Sequence, residues 1–185
     1  MSFQSNRMLA ADSQSTVDFL VNSQLQFAHS MREIGIKLAA PNVAYPGFAM
    51  FFVWHSKIIE KKAIKMMFIL QKLGVNYSLA PINPLNDSFP DPVLALAAIV
   101  RYEEGILEGL KAIDTQGPVM KHLISRKIGK MTLMLGMKRS MLTKLNRIRD
   151  DPAALQQADD KLLAKEIHMK MHNKYHCGED KIHKM

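Results

Sequence analysis

Cysteine and long apolar runs are scarce in this chain of 185 residues. The single cysteine, Cys177, excludes an internal disulfide and favours a reducing compartment, which we expect to be the cytoplasm. The first 20 residues carry no basic start followed by an apolar run, so no secretory signal peptide is expected. No apolar run approaches the roughly 18 residues of a membrane helix, so the sequence predicts no membrane partner.

Aromatic residues are also few, at 7% of the chain, whereas there are 14 methionines and a hydrophobic fraction of 48%. Folds rich in β-strands favour aromatic and β-branched residues, so this composition favours a helical core. Methionines that recur at helical spacing are interpreted as filling that core.

Acidic residues are absent from one long stretch of the chain. Between Thr115 and Arg149 there are nine lysines or arginines and no aspartate or glutamate, in a chain whose formal net charge is +8. Such a block is typical of a solvated helix face. It is also typical of a surface that meets an anionic partner, such as nucleic acid, a phosphate-rich ligand or an acidic protein.

Helical periodicity divides the chain into five predicted helices. Residues 1–14 are polar and are predicted to form a flexible segment. Ser15 and Asp18 then suggest a capping box for a first helix that ends before Pro41. The helices are expected at about residues 15–40, 46–73, 91–113, 118–147 and 152–171, and a tail rich in His, Lys and Met follows over 172–185.

The connection between the second and third helices, residues 75–90, is long and rich in proline. Its roughly 16 residues span up to about 50 Å when extended, whereas the four longer predicted helices are each about 35–43 Å long. The connection can therefore return the third helix parallel to the second. The sequence predicts an all-α four-helix bundle over residues 15–171, with one long crossover connection and a short fifth helix. An alternating up-down bundle with a loose middle loop is the alternative.

Short patterns in the four long predicted helices keep a consistent spacing over about residues 17–149. They are Val21-Asn22-x-x-Leu25, Val43-Ala44-x-x-x-Phe48-Ala49, Tyr102-Glu103-x-x-Ile106-x-x-x-Leu110, and Gly117-Pro118 followed by Leu123-Ile124. Together these patterns resemble the four helices of a ferritin subunit. The resemblance implies the ferritin-like form of the four-helix bundle, to which the short fifth helix also fits.

Catalytic ferritins oxidise Fe²⁺ at a di-iron centre, where carboxylates and a histidine converge from facing helices. Of the matching positions in this chain, only Glu103 keeps a carboxylate, and we expect it to form a buried ion pair with Lys62. The resemblance therefore implies a degenerate ferroxidase centre, no enzymatic activity and no cofactor. The positions of that centre are held by Gln24, Met31, Ile58, Ile59, Lys62, Glu103 and Thr132.

Two other features that handle iron in the family are altered as well. The positions that line the threefold entry channel fall on His122 and Ser125, which carry no carboxylate. The inward face implied by the resemblance is basic, with Lys57, Lys61 and Lys127. The positions that nucleate mineral in light-chain ferritins are not acidic, and they fall on Met50, Val53, Trp54 and Lys57.

The chain is thus expected to be a non-catalytic ferritin homologue that acts as a structural shell or assembly subunit. By resemblance it forms a homo-oligomeric shell of roughly 24 subunits, or a hetero-oligomer with catalytic ferritin subunits. The alternative is an oligomeric cage with a chaperone-like role or one that binds nucleic acid or another anion. A relocated metal site is a further hypothesis, whose candidate ligands in the tail match no established spacing: His168, His172, His176 and Cys177.

Overall fold

The computed structural model describes residues 10–72, 74–83, 89–113 and 118–179, and within these ranges it contains five α-helices and no strand. The predicted all-α class is therefore confirmed. No helix in the described ranges is long and apolar enough to cross a bilayer. The helices are α1 (Ala10–Leu38), α2 (Pro46–Lys72), α3 (Pro92–Ala112), α4 (Pro118–Asn146) and α5 (Pro152–Glu179).

Proline is the first residue of α2, α3, α4 and α5, as the sequence predicts, because it supplies a helical φ where the backbone N–H has no partner. The predicted cap of α3 is also present, since Asp91 Oδ1 accepts a hydrogen bond from the N–H of Leu94 at 2.8 Å. Gly74 follows α2 with a φ of 70°, a left-handed conformation that glycine adopts without strain.

Two helix ends differ from the prediction. Helix α1 begins at Ala10, so the capping box at Ser15 is wrong, and the part of the predicted flexible segment before Ala10 lies outside the described residues. Helix α5 continues to Glu179 instead of ending near residue 171, because no glycine or proline interrupts residues 153–177. The fifth helix is therefore long.

The directions of α1 and α2 follow from contacts along their length. Arg32 forms an ion pair with Glu60, while Gln24, which lies nearer the start of α1, reaches Met66, nearer the end of α2. Helix α2 therefore runs antiparallel to α1.

The direction of α3 decides between the two predicted topologies. The ring of Phe27 stacks on that of Tyr102 at 5.4 Å, and the earlier Phe19 lies against the later Gly109. Helix α3 is thus also antiparallel to α1 and runs in the same direction as α2. The alternating up-down arrangement is wrong, because it would require α2 and α3 to run in opposite directions.

The described part of the crossover connection, residues 75–83, lies along α1. Three side chains spaced four residues apart on α1 hold it, and we call Asp18, Asn22 and Gln26 the polar ladder. Each of the three accepts a hydrogen bond from a backbone N–H of the connection: Asp18 Oδ1 from Ser78 (2.6 Å), Asn22 Oδ1 from Ala80 (2.9 Å) and Gln26 Oε1 from Asn83 (2.8 Å). The side-chain amides of Asn22 and Gln26 also donate to backbone carbonyls of the connection.

The apolar core lies between the helices and draws on all five of them. Helix α1 packs against α2 and α3, α3 packs against α4, and α5 packs against α2. The largest side chains that are almost wholly buried come from α1, α2 and α3, and they include Met31, Ile34, Phe48, Phe52, Leu96 and Ile99. Charged groups that enter this core are therefore conspicuous.

Candidate functional site

A buried ion pair joins α3 to α4 in the interior. Nζ of Lys138 lies 2.5 Å from Oε2 of Glu103, and the two side chains are only 6% and 5% exposed. The same ammonium lies 5.1 Å from the centre of the Phe27 ring, a distance at which the face of an aromatic ring attracts a cation. The side-chain nitrogen of Lys138 thus lies between the Phe27 ring of α1 and the Glu103 carboxylate of α3.

A second lysine of α4 enters the interior next to α1. Lys127 donates to Oε1 of the buried Gln24, whose Nε2 donates to the carbonyl of Leu20 at 2.8 Å and contacts the sulfur of Met66 at 3.9 Å. Gln24 therefore uses both ends of its amide. We call Gln24, Glu103, Lys127 and Lys138 the interior polar cluster.

The electrostatics of Lys127 differ from those of Lys138. The pKa of Lys127 is lowered to about 8, chiefly by burial and also by the nearby charges of Lys62 and Lys130, whereas Glu103 acts in the opposite direction. The direct partner of Lys127 is a neutral amide, and Glu103 is already engaged by Lys138. The cluster consequently holds two ammonium groups and one carboxylate.

His55 of α2 lies close enough to the interior polar cluster to respond to its charge. Burial lowers the pKa of its imidazole, and the charges of Lys138 and Lys62 lower it as well. The carbonyl of Phe51, which lies 2.9 Å from Nδ1, has the opposite effect and raises this pKa. The ring also packs on Phe51 and Trp54. A neutral imidazole with aromatic neighbours is the form that this environment favours.

One predicted contact of the degenerate ferroxidase positions is wrong. Lys62 is exposed, and Lys138 instead forms the ion pair with Glu103. Lys62 is exposed on α2, so its ammonium keeps its hydration. Lys138 lies on the inward face of α4, where its ammonium is next to the buried carboxylate of Glu103.

The other degenerate positions are spread between core and surface. Gln24 and Met31 are buried on α1, and Glu103 is buried on α3. Ile58 and Ile59 are half-buried on α2, while Thr132 is exposed on α4. The structure therefore brings Gln24 and Glu103 together around the lysines of α4 and leaves Thr132 outside that group.

The predicted channel and inner-face positions are mostly accessible. His122 and Ser125 are exposed on α4, and Lys57 and Lys61 are exposed on α2. Lys127, the third residue of the predicted basic face, is half-buried instead. The mineral-nucleation positions on α2 other than Lys57 are half-buried, and they are Met50, Val53 and Trp54.

The candidate metal ligands of the tail fall in the last turns of α5, where the backbone is helical but the side chains lie outside the described residues. They are His168, His172, His176 and Cys177. Elsewhere in the described ranges, no three His, Cys, Asp or Glu side chains are grouped closely enough to hold a metal ion.

Sequence reasoning missed Lys138 as an interior residue, although a signal was present. Lys138 follows Lys127 by 11 residues, which is about three helical turns, so both lie on the same face of α4. Between them on that face are the buried Met131 and Leu135. A lysine in register with an apolar stripe indicates a charge that enters the core.

A second buried carboxylate was also missed, far from the interior polar cluster. Asp159 of α5 is fully buried and accepts hydrogen bonds from the N–H groups of Gly47 (2.9 Å) and Phe48 (2.7 Å) at the start of α2. Burial raises the pKa of Asp159, while these two bonds lower it and Asp160 raises it. A Cβ at Gly47 would lie 2.0 Å from the backbone oxygen of Asp159, so this contact requires glycine.

Comparison with models of known protein families finds no match to the chain, and comparison with curated proteins finds none either. The interior polar cluster and the surfaces around it are therefore the features that bear on function.

Proposed function

We propose that this chain is a non-catalytic, ferritin-like subunit that builds a protein shell or joins one made by catalytic subunits. The observation that carries the proposal is the interior polar cluster. The Gln24 and Glu103 oxygens that face α4 each accept a hydrogen bond from a lysine ammonium. A metal cation could reach these oxygens only by displacing Lys127 or Lys138, against their positive charge.

The helix directions support the same proposal. Helices α2 and α3 run in the same direction, and the described part of the connection between them, residues 75–83, lies along α1. Among helix bundles, a single long crossover of this kind is typical of ferritin-like folds.

Exposed apolar side chains support a role in assembly. Phe68 and Ile64 are 61% and 43% exposed one helical turn apart on α2, and Leu133 and Met137 are 69% and 62% exposed one turn apart on α4. Pairs of this kind on two helices favour burial against another subunit. The single Cys177 fits assembly in a reducing, cytoplasmic compartment.

The test of the proposal has two parts. Purified protein is first sized by light scattering and imaged by electron microscopy, alone and after co-expression with a catalytic ferritin subunit. Closed particles, or incorporation into the particles of the catalytic subunit, are expected. A monomer in both cases would refute the shell.

The second part measures iron oxidation. Apo-protein mixed with Fe²⁺ in air should give ferric absorbance no faster than buffer, because the interior polar cluster already contains two cations. A faster rate that is abolished by Glu103→Ala, but kept by Glu108→Ala at an exposed position of the same helix, would show that the centre is active.

A second candidate function, an anion-binding cage with a nucleic-acid or chaperone-like role, is favoured by the basic face. Lys57 and Lys61 are exposed on α2, and the stretch from Thr115 to Arg149 contains nine basic residues and no acidic ones. Repeated around a closed particle, this face would produce a strongly positive surface that attracts polyanions. Titration with a labelled oligonucleotide at about 50 and 200 mM salt tests it, since binding driven by phosphate contacts weakens steeply over this range. No binding at the lower salt would remove nucleic acid as the partner.

A further inference from the structure

A cavity of about 560 Å³ is lined by residues of α1, of the crossover connection and of α3. Residues 80–83 form the wall from the connection, and the hydrogen bonds of the polar ladder hold this wall against α1. The apolar lining includes Phe19, Ile82 and Tyr102, which are 38%, 48% and 36% exposed. The volume is typical of small-molecule sites, and the bonded wall is in place without a ligand.

The two ends of the cavity differ in charge. Because α1 and α3 are antiparallel, Asp18 of α1 and Arg101 of α3 lie at opposite ends of the lining. Asp18 already accepts a hydrogen bond from the N–H of Ser78. Among the described residues, no carboxylate lies within ion-pair distance of Arg101, and the nearby Glu104 of α3 pairs with Arg139. The guanidinium of Arg101 is therefore open to an anion.

A buried hydroxyl lines the same cavity between its two ends. The Oγ of Ser23 is buried and has no hydrogen-bond partner in the part of the chain that the structure describes. Buried polar groups are nearly always paired, so an unpaired hydroxyl in a cavity indicates a place for a polar atom of a ligand. Beside Arg101, the ring of Tyr102 adds an aromatic surface, which its parallel stack on Phe27 fixes in position.

We propose that this cavity binds a small aromatic carboxylate. The carboxylate would meet Arg101, whose forked N–H groups match its two oxygens, and the ring system would cover the apolar lining beside Tyr102. An inorganic anion would leave that lining in water, and an uncharged apolar molecule would leave the guanidinium unpaired. The inference requires one subunit alone, so it does not rest on the proposed shell.

The test is calorimetric titration of the full chain with two probes of the same shape, naphthoate and the uncharged naphthamide, at neutral pH and low ionic strength. One saturable site for naphthoate is expected, with naphthamide about tenfold weaker, the scale of a lost charge-assisted hydrogen bond. Arg101→Gln should weaken naphthoate about tenfold and leave naphthamide unchanged. Arg126→Gln, at an exposed position of α4 outside the cavity, should change neither.

The unpaired hydroxyl is tested separately. Ser23→Ala should weaken naphthoate about fivefold, as expected when one neutral hydrogen bond is lost.

Filling the cavity gives a readout that does not depend on charge. Gly105 lines the cavity, and a Cβ there would meet nothing within 4 Å, so the ring of Gly105→Phe would take up space that a ligand needs. Phenylalanine suits a helix better than glycine does, so α3 should be kept while both probes lose binding. Gly129→Phe, at an exposed glycine of α4 with equally open surroundings, should bind both as the unaltered chain does.

Three results would overturn the site. They are no saturable binding of naphthoate at millimolar concentration, equal effects of Gly105→Phe and Gly129→Phe, and equal binding of naphthoate and naphthamide. If Gly105→Phe does not fold, the comparison of Arg101→Gln with Arg126→Gln still decides the matter.

Discussion

Two ion pairs join α3 to α4 through consecutive residues, one inside the molecule and one at its surface. Lys138 with Glu103 and Arg139 with Glu104 each have a nitrogen-to-oxygen distance of 2.5 Å. The inner side chains are 6% and 5% exposed, whereas the outer ones are 60% and 31% exposed. Water can replace a lost partner outside but not inside, so burial and not distance determines what each pair contributes.

The largest effect is expected from Glu103→Gln. This change leaves the ammonium of Lys138 in the core without a carboxylate, and breaking a buried pair in this way costs about 3–5 kcal/mol. The free energy of unfolding from chemical denaturation measures the loss. The variant Glu103→Leu with Lys138→Met should recover most of it, because neither charge then remains buried.

Glu104→Gln is the matched control for Glu103→Gln. Its partner Arg139 is 60% exposed and regains hydration, so the loss should stay below about 1 kcal/mol. An equal loss of unfolding free energy in Glu103→Gln and Glu104→Gln would contradict this comparison, since it would mean that water reaches the inner pair.

Lys127 sharpens the comparison because it is a recessed cation with no carboxylate of its own. Its folded-state pKa of about 8 lies below the ordinary value of 10.5. The unfolded chain therefore binds more protons between these values, and stability rises with pH through that window. The whole rise corresponds to about 3 kcal/mol.

Denaturation curves from pH 7 to 11 should show this rise in the unaltered chain, and Lys127→Met should remove it. Lys144→Met, at an exposed position of the same helix, should keep the rise. Parallel profiles for all three proteins would show that Lys127 is as well hydrated as a surface lysine.

Asp159 tests whether a buried carboxylate can be stabilised without a cationic partner. Two backbone N–H groups at the start of α2 hold it, and its loss should cost about 1–2 kcal/mol, as for other helix caps. Asp159→Ala should therefore destabilise the protein less than Glu103→Gln. The exposed neighbour Asp160 gives the control, and Asp160→Ala should have almost no effect. A larger loss for Asp159→Ala than for Glu103→Gln would reverse the ranking.

The helices were predictable because their signals are local. Proline at the start of four helices, the cap at Asp91 and the glycine after α2 all act within one turn, and the sequence contains them directly. The length of residues 75–90 also predicted the parallel directions of α2 and α3. The start of α1 was predicted wrongly because Ser and Asp cost a helix interior only up to about 0.7 kcal/mol each relative to alanine, which does not prevent a helix from beginning before Ser15.

The interior contacts were only partly predictable because they depend on helix rotation. Glu103 was expected to be buried with a lysine, but the choice between Lys62 and Lys138 is set by how α2 and α4 turn towards α3. Asp159 was harder still, since its partners are backbone N–H groups 111 or 112 residues away. No periodic pattern relates a residue to a helix end so distant along the chain.

The polar ladder on α1 means that one face of a helix can act as the edge of a sheet. Four residues of helix rise about 6.0 Å, and two residues of extended chain rise about 6.4–6.8 Å. Asp18 and Asn22 are thus spaced almost like alternate backbone groups of a strand, and they pair with Ser78 and Ala80 as such groups would. The next residue of the polar ladder, Gln26, bonds to Asn83, which is three residues after Ala80 and not two. The helical spacing and the extended spacing differ by about half an ångström for each pair of bonded groups. This mismatch accumulates along the helix, so pairing of this kind is limited to a short segment.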